Sequence, residues 1–278
     1  MSISKFLKIG MMDFMKKNWE RQLIKILTEL SEEENFVFEK ILDDWILKIN
    51  NSWIYGNNFE INSLSSYLIA RDKVATSFLL EKENIPCMKH TLQLNKKHPA
   101  YKNTYKKICE DILNKDIPVI LKDNKGFGGK NVFKACNMQQ VHHYVDVLMK
   151  KNIDIAICSY VDILKEYRTV VYKGEVLLCY SKNIKRKKIE NGNVIKDNIT
   201  VKIEPFKNTY IERLAIKAAN TINISFATVD IIKTKENLQV IEINPAVSLE
   251  LFAKTNKVNY LLTKEVYRTV IKDLKNIK

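Results

Sequence analysis

Seven of the 278 residues are glycine, and three of those, Gly126, Gly128 and Gly129, fall within four positions. A chain so poor in glycine concentrates backbone freedom where a turn needs positive φ or a ligand comes close to the main chain. The flanks define the setting. Ile117-Pro-Val-Ile-Leu-Lys122 reads as a short apolar strand ending in lysine, and Asn131-Val-Phe-Lys134 as its return strand. The loop is not a Walker A motif, because Asn131 follows Lys130 and position 124 is asparagine. Nor is it GxGxxG, because position 131 is not glycine. Backbone N–H groups in such a hairpin can curl round phosphates, with Lys122 and Lys130 supplying charge. An ordinary hairpin with a flexible tip accounts for it equally well.

A second constraint lies near the C-terminus. Thr228-Val-Asp-Ile and Val240-Ile-Glu-Ile-Asn-Pro245 read as paired strands across a Lys-Thr-Lys-Glu-Asn turn. Period-2 alternation puts Glu242 and Asn244 on one face, while the isoleucines and valine between the polar groups should face a core. With Asp230 on the neighbouring strand, two carboxylates and an amide oxygen make a hard-oxygen site suited to Mg²⁺. Two such ions could bridge triphosphate oxygens.

The remaining pattern is α+β. Residues 11–50 are predicted helical. One helix carries Trp19, Leu23 and Ile26, and a second carries Phe36, Phe38, Ile41, Trp45 and Ile46, with Ser31 and Glu34 spaced like a capping box. Further helices are expected over 63–84, 103–115, 137–151 and 207–222, and a last one from about Leu262. A hairpin is expected round Lys173-Gly174. The domain expectation is a mostly helical region over 1–62, then one larger domain over 63–278 with a lid at about 86–160 and a metal-binding part at about 161–278.

No apolar run reaches the ~18 residues of a membrane span, and Asp13 interrupts the apolar stretch after Lys5 and Lys8, so neither a membrane segment nor a secretory signal is expected. Five scattered cysteines without a CxxC pair suggest reduced thiols and a cytoplasmic location. The formal net charge of +14 reflects a lysine-rich surface or attraction to polyanions. Its densest run, Ser181 to Ile189, lacks interleaved aromatics and supports an RNA-binding strip only weakly. His142-His143 are adjacent on a helix and point about 100° apart, which disfavours a shared metal. His90 and His98 have no carboxylate or cysteine partners at ligand spacing.

Taken in order, Arg71-Asp72-Lys73 before the Ile85-Pro86 segment, the strand–Lys122–glycine loop, Glu166-Tyr-Arg168 with Gly174, Val229-Asp230-Ile231-Ile232 and Ile241-Glu242-Ile243-Asn244-Pro245 resemble the ATP-grasp superfamily over roughly residues 63–270. The pieces look closest to cyanophycin synthetase and the ATP-grasp module of bifunctional glutathione synthetase. The resemblance implies an ATP-grasp fold, two α+β subdomains gripping ATP, with a short helical N-terminal region. Cofactors implied are ATP and Mg²⁺, two ions in number. Lys73 and Lys122 would contact phosphates, and Gly126, Phe127, Gly128, Gly129 and Lys130 would form the lid. Ser159, Tyr160 and Val161 would hold adenine at the hinge, with Glu166 among the nucleotide contacts. Asp230, Glu242 and Asn244 would hold magnesium. Arg168 would neutralise an acyl phosphate or a substrate carboxylate. Where some relatives carry an arginine this chain has Thr228, so oxyanion charge would come from Arg168 or Lys182.

The implied activity is carboxylate–amine ligation. ATP converts a carboxylate into an acyl phosphate, which an amine then attacks. Expected partners are an amino-acid or peptide carboxylate and an amine, with an acidic peptide suggested by charge alone and a homodimer left open. Two alternatives stand beside this: a nucleotide-binding regulator without turnover, and a basic nucleic-acid-binding protein, nucleic acid being the less favoured partner.

Overall fold

A computed structural model describes residues 21–182, 189–190, 193–194, 203–205 and 207–274. The expectations for residues 1–20 and for the basic run 183–188 lie outside them.

The elements in chain order begin with α1 (Gln22–Glu34), β1 (Phe38–Ile41), β2 (Ile46–Ile49), β3 (Ser52–Tyr55) and β4 (Asn58–Phe59). Next come α2 (Leu64–Arg71), α3 (Lys73–Lys82), β5 (Thr91–Gln93), α4 (Tyr105–Leu113), β6 (Val119–Asp123), β7 (Val132–Ala135), α5 (Met138–Lys150) and β8 (Ile155–Ser159). The long hairpin β9 (Lys165–Tyr172) and β10 (Glu175–Lys182) precedes the short β11 (Ile189–Glu190), β12 (Asn193–Val194) and β13 (Ile203–Pro205). The chain closes with α6 (Thr209–Thr221), β14 (Phe226–Lys233), β15 (Leu238–Asn244), α7 (Glu250–Thr255) and α8 (Lys257–Leu274). They fall into two compact units: residues up to Glu60 with those from Ser248 onward, and Ile61–Val247.

In the first unit, Leu23, Ile24, Ile26, Leu27 and Leu30 recur at helical spacing along α1 and are all buried. The Glu250 carboxylate accepts from the Gln22 N–H at 2.9 Å and the Leu23 N–H at 3.2 Å. It places negative charge on the unpaired amides at the helix start. The second helix expected over 36–46 is not formed, because residues 38–59 make an antiparallel meander in the order β1-β2-β3-β4. Leu42, Asp43 and Asp44 all take positive φ, 53°, 50° and 62°, which no helix passes through. Burial alternates along the meander, with Leu47, Ile49, Ser52 and Ile54 inside and Trp53 and Tyr55 outside. Short apolar runs of this kind fit either period when read alone. The Ser31–Glu34 spacing falls in the last turn of α1 rather than at a helix start. The last helix begins at Lys257, ahead of the expected position.

The second unit holds two sheets. In one, ordered β11-β12-β7-β6-β8-β5, Val119, Leu121, Phe133, Ala135, Ile155 and Ile157 bury one face against α4 and α5. The alternate residues Ile120, Lys122, Lys134 and Cys158 therefore occupy the opposite face. The other sheet runs β13-β10-β9-β14-β15. Val171, Ala227, Val229, Ile231 and Ile243 pack against Leu214, Ala215 and Ala218 of α6 and Ala70 of α2. The helix expected over 63–84 breaks at Asp72, whose side chain caps α3 by accepting from the Ala75 N–H at 2.9 Å.

Candidate active site

Asp230, in the middle of β14, is 2% exposed. Its cross-strand partners are Glu242 on β15 and Arg168 on β9, and directly opposed residues share a face. Arg168 donates from Nε to Oδ1 at 2.7 Å and from Nη2 to Oδ2 at 2.6 Å. Lys182, the last residue of β10, donates to Glu166 at 2.7 Å and to Asp230 at 3.2 Å. Asn244 donates to Asp230 at 3.3 Å and Glu242 at 3.2 Å. Burial alone would raise the Asp230 pKa. The Arg168 and Lys182 charges outweigh burial and hold the carboxyl well below its usual range. In turn Asp230 keeps Arg168 and Lys182 protonated against their own burial.

Ile243 and Val229 face the core as the alternation requires, and Val240 joins them only because of a register shift. Ile241 does not. A register shift between Asp230 and Ile231 leaves Ile241 without a partner on β14, and it packs instead with Met88, Cys158 and Ile232. Such a bulge re-aims side chains, and here it brings an apolar residue next to Glu242 on the site side.

Among the described residues no group of three or more His, Cys, Asp and Glu side chains could by itself hold a metal. Asp230, Glu242 and Asn244 supply two carboxylates and an amide, and a half-turn of that amide presents its oxygen where its nitrogen now donates. This is the donor chemistry of a magnesium site that draws its other ligands from phosphate and water. The residues present fit that ion.

The glycine loop joins β6 to β7. Gly128 and Gly129 take φ of 68° and 73°, the left-handed region that glycine enters without strain. Gly126 is required for a different reason: a Cβ there would lie 2.7 Å from the Asp123 Cβ. Phe127 is 73% exposed and Lys130 is exposed. At the loop's base, Lys73, the first residue of α3, donates from Nζ to the Gly126 carbonyl at 2.6 Å and to the Asn124 carbonyl at 3.3 Å. Buried Asn124 fixes the same corner, its side chain accepting from the Val74 N–H at 3.1 Å. Burial lowers the Lys73 pKa, Glu242 opposes that shift, and Lys122 adds to it. Lys122 is itself buried.

A separate apolar cluster, the slot, lies on the face of the first sheet that carries Ile120 and Lys122. Met88, Cys158 and Ile232 are buried there with Ile120, Val161, Ile163 and Ile241 around them. Ser159 ends β8 opposite Val119, and the Tyr160 N–H donates to the Pro118 carbonyl at 2.8 Å. A shallow surface recess is lined by Lys73, Thr76, Ser77, Cys87, Met88 and Glu242.

Thus the structure groups Glu166, Arg168, Lys182, Asp230, Glu242 and Asn244 in one network, and Lys73 with the glycine loop in another. Lys73 is within electrostatic reach of both Lys122 and Glu242. Sequence reasoning missed Asn124, Met88 and His90. His90 is 8% exposed, and neither ring nitrogen has a hydrogen-bond partner. Leaving a buried polar atom unpaired costs about 1–3 kcal/mol. In the sequence His90 has no metal-ligand neighbours to single it out. The usable signal was its place just after the Ile85-Pro86 segment that leads into the slot.

The arrangement of two antiparallel-strand sheets with a glycine hairpin matches solved ATP-grasp ligases. D-alanine–D-alanine ligase from Bacillus anthracis aligns with a TM-score of 0.55 at 14% identity, over 75% of this chain and 71% of that one. The ATP-grasp ligase PsnB, solved with minimal precursor, Mg and ADP, aligns with a TM-score of 0.52 at 14% identity, over 75% and 61%. A family model for the RimK-like ATP-grasp domain matches residues 70–268, and the chain belongs to that family. A probable alpha-L-glutamate ligase of Histophilus somni strain 2336 is 24% identical over 208 residues, 74% of this chain. The alignment spans 66% of that relative's length, a little under two thirds.

Proposed function

We propose that this chain is an ATP-dependent ligase that joins a carboxylate to an amine through an acyl phosphate. The observation that carries the reading is the Asp230–Glu242–Asn244 face locked to Arg168 and Lys182, with Lys73 and the glycine loop within electrostatic reach. Magnesium held by these three residues, two ions in the fullest form, would offset charge as the γ-phosphoryl moves. Lys73 and Lys122 bind the phosphates. Gly126 to Lys130, with Phe127 at the tip, close over them and exclude water. Ser159, Tyr160 and Val161 take the base against the apolar slot, and Glu166 orients Lys182. Arg168 and Lys182 hold the substrate carboxylate, their forked or ammonium donors matched to its oxygens.

The bond from the γ-phosphorus to ADP breaks as one forms to the carboxylate oxygen. The amine lone pair then attacks the acyl carbon, phosphate leaves with the C–O electron pair, and nitrogen sheds a proton. An amino-acid or peptide acid is the substrate class. L-glutamate comes first for testing because the Histophilus relative is named for it. The +14 charge favours an acidic peptide. Five unpaired cysteines suit the cytoplasm, and the exposed Leu64, Leu68 and Phe78 offer apolar surface for a homodimer.

Incubation with Mg-ATP, hydroxylamine and pools of amino acids and short peptides tests this. A hydroxamate formed by the native protein but not by Glu242→Gln supports the ligase and identifies the acid. ATP binding with neither hydroxamate nor ADP above the variant's level favours the regulator instead, a reading consistent with both Asp230 oxygens being committed to cations.

A further inference from the structure

Three buried side-chain polar atoms among the described residues lack a hydrogen-bond partner, and two of them are the ring nitrogens of His90. His90 directly precedes β5, where Thr91 stands opposite Ile157 of β8. One step back along that register is Cys158. Ile157 belongs to the core beneath α4 and α5, whereas Cys158 packs in the apolar slot with Met88 and Ile120. Alternation therefore puts the imidazole on the slot side. The charged groups acting on it are Lys122 and Lys73. A neutral imidazole offers one N–H and one lone pair. Two ammonium groups cannot accept that N–H, so the missing partner is an acceptor, and a pair of lysines beside it selects an anionic one.

We propose that His90 is a nucleotide-contacting residue whose ring N–H donates to a phosphate oxygen of a nucleotide held between Lys73 and Lys122. This rests on the part of the ligase reading that seats a nucleotide in the slot. Burial, then the Lys122 and Lys73 charges, push the His90 pKa down to about 2, and a contact with the Met88 backbone that falls short of hydrogen-bond geometry works the other way. The ring is thus neutral at physiological pH and adds a hydrogen bond without adding charge. A phosphate between the lysines offsets their charges and raises that pKa.

The test is calorimetric binding of a non-hydrolysable ATP analogue and of adenosine, with Mg²⁺, to the full native chain and to His90→Leu, His90→Gln and Lys122→Ala. His90→Leu is expected to weaken analogue binding about tenfold and adenosine binding hardly at all, while His90→Gln, which keeps a donor, stays near the native value. Native-like analogue binding by His90→Leu overturns the inference. So does an equal loss for adenosine, which would place the ring against the base. If Lys122→Ala abolishes binding while His90→Leu does not, only the inference falls. If the native chain does not bind the analogue, the nucleotide reading falls with it. A measurement on the native chain guards against misfolded variants. In ¹⁵N-histidine spectra, the imidazole that does not titrate near neutral pH should shift with the analogue and not with adenosine. An unshifted signal with analogue bound overturns the contact.

Discussion

Arg168 meets Asp230 with two parallel hydrogen bonds, 2.7 and 2.6 Å long, across directly paired positions of β9 and β14. Asp230 is 2% exposed, so losing the guanidinium leaves a buried charge with only the longer 3.2 Å contact to Lys182 to balance it. Arg168→Met is expected to lower unfolding free energy by about 3–5 kcal/mol. Adding Asp230→Asn should recover part of that loss, because the under-compensated buried charge is gone while Lys182 keeps Glu166 at 2.7 Å. Urea denaturation of both single variants and the double variant measures the coupling, and simple additivity would show that the pair is not coupled.

His90 makes stability depend on pH in a defined direction. The unfolded imidazole takes a proton near its ordinary 6.5, while the folded one resists until about 2. The unfolded state therefore binds more protons across that interval, and stability is lost as pH falls below the unfolded value. The loss amounts to roughly 1.4 kcal/mol per pH unit at most. Denaturation curves from about pH 6.5 down to about pH 4.5 should be shallower for His90→Gln by that slope. Equal slopes would show that the ring is not held neutral.

Two glycines in the loop between β6 and β7 should fail differently. At Gly126 an added Cβ meets Asp123 at 2.7 Å, and the Asp123 side chain accepts from the Lys125 N–H at 2.9 Å. Gly126→Ala must displace that turn and the carbonyl that Lys73 grips. Gly128 has open space within 4 Å and only its φ of +68° to protect, a strain of roughly 1–2 kcal/mol. Nucleotide binding should fall several-fold more for Gly126→Ala, as calorimetry would show. The reverse order would remove Asp123 from the loop's support.

Lys182 spans Glu166 and Asp230 at 2.7 and 3.2 Å. If it steadies charge on the transferring groups, Lys182→Met should cut turnover about 10²-fold and change ATP affinity less than about threefold. ADP release at saturating and limiting ATP separates the two. A loss confined to affinity would make Lys182 a nucleotide-binding residue.

The strands at both ends of the site were legible because Asp230 and Glu242 interrupt runs of Val and Ile that otherwise read as buried, and a carboxylate in such a run needs a reason. The hairpin round Lys173-Gly174 was legible for its turn chemistry. Residues 36–46 misled because Phe36, Phe38, Ile41, Trp45 and Ile46 fit a helical stripe, while the determinant, three successive residues with positive φ at 42–44, includes a leucine that carries no turn signature. The bulge at Ile241 was invisible because register depends on the partner strand. His90 was passed over because its surroundings come from β6, α3 and β8, segments far apart in sequence.

The short segment 86–88 runs parallel to β15. The Met88 N–H donates to the Val240 carbonyl at 2.8 Å, and the Val240 N–H to the Pro86 carbonyl at 2.9 Å. β15 is the terminal strand of its sheet, the position most open to pairing with a neighbouring molecule. Here both main-chain groups of Val240 are already taken from within. The outer edge of this Val- and Ile-rich strand is thereby closed to a pairing neighbour at Val240. That guard needs no added charge or proline on the strand, so Glu242 and Asn244 are not required as edge blockers.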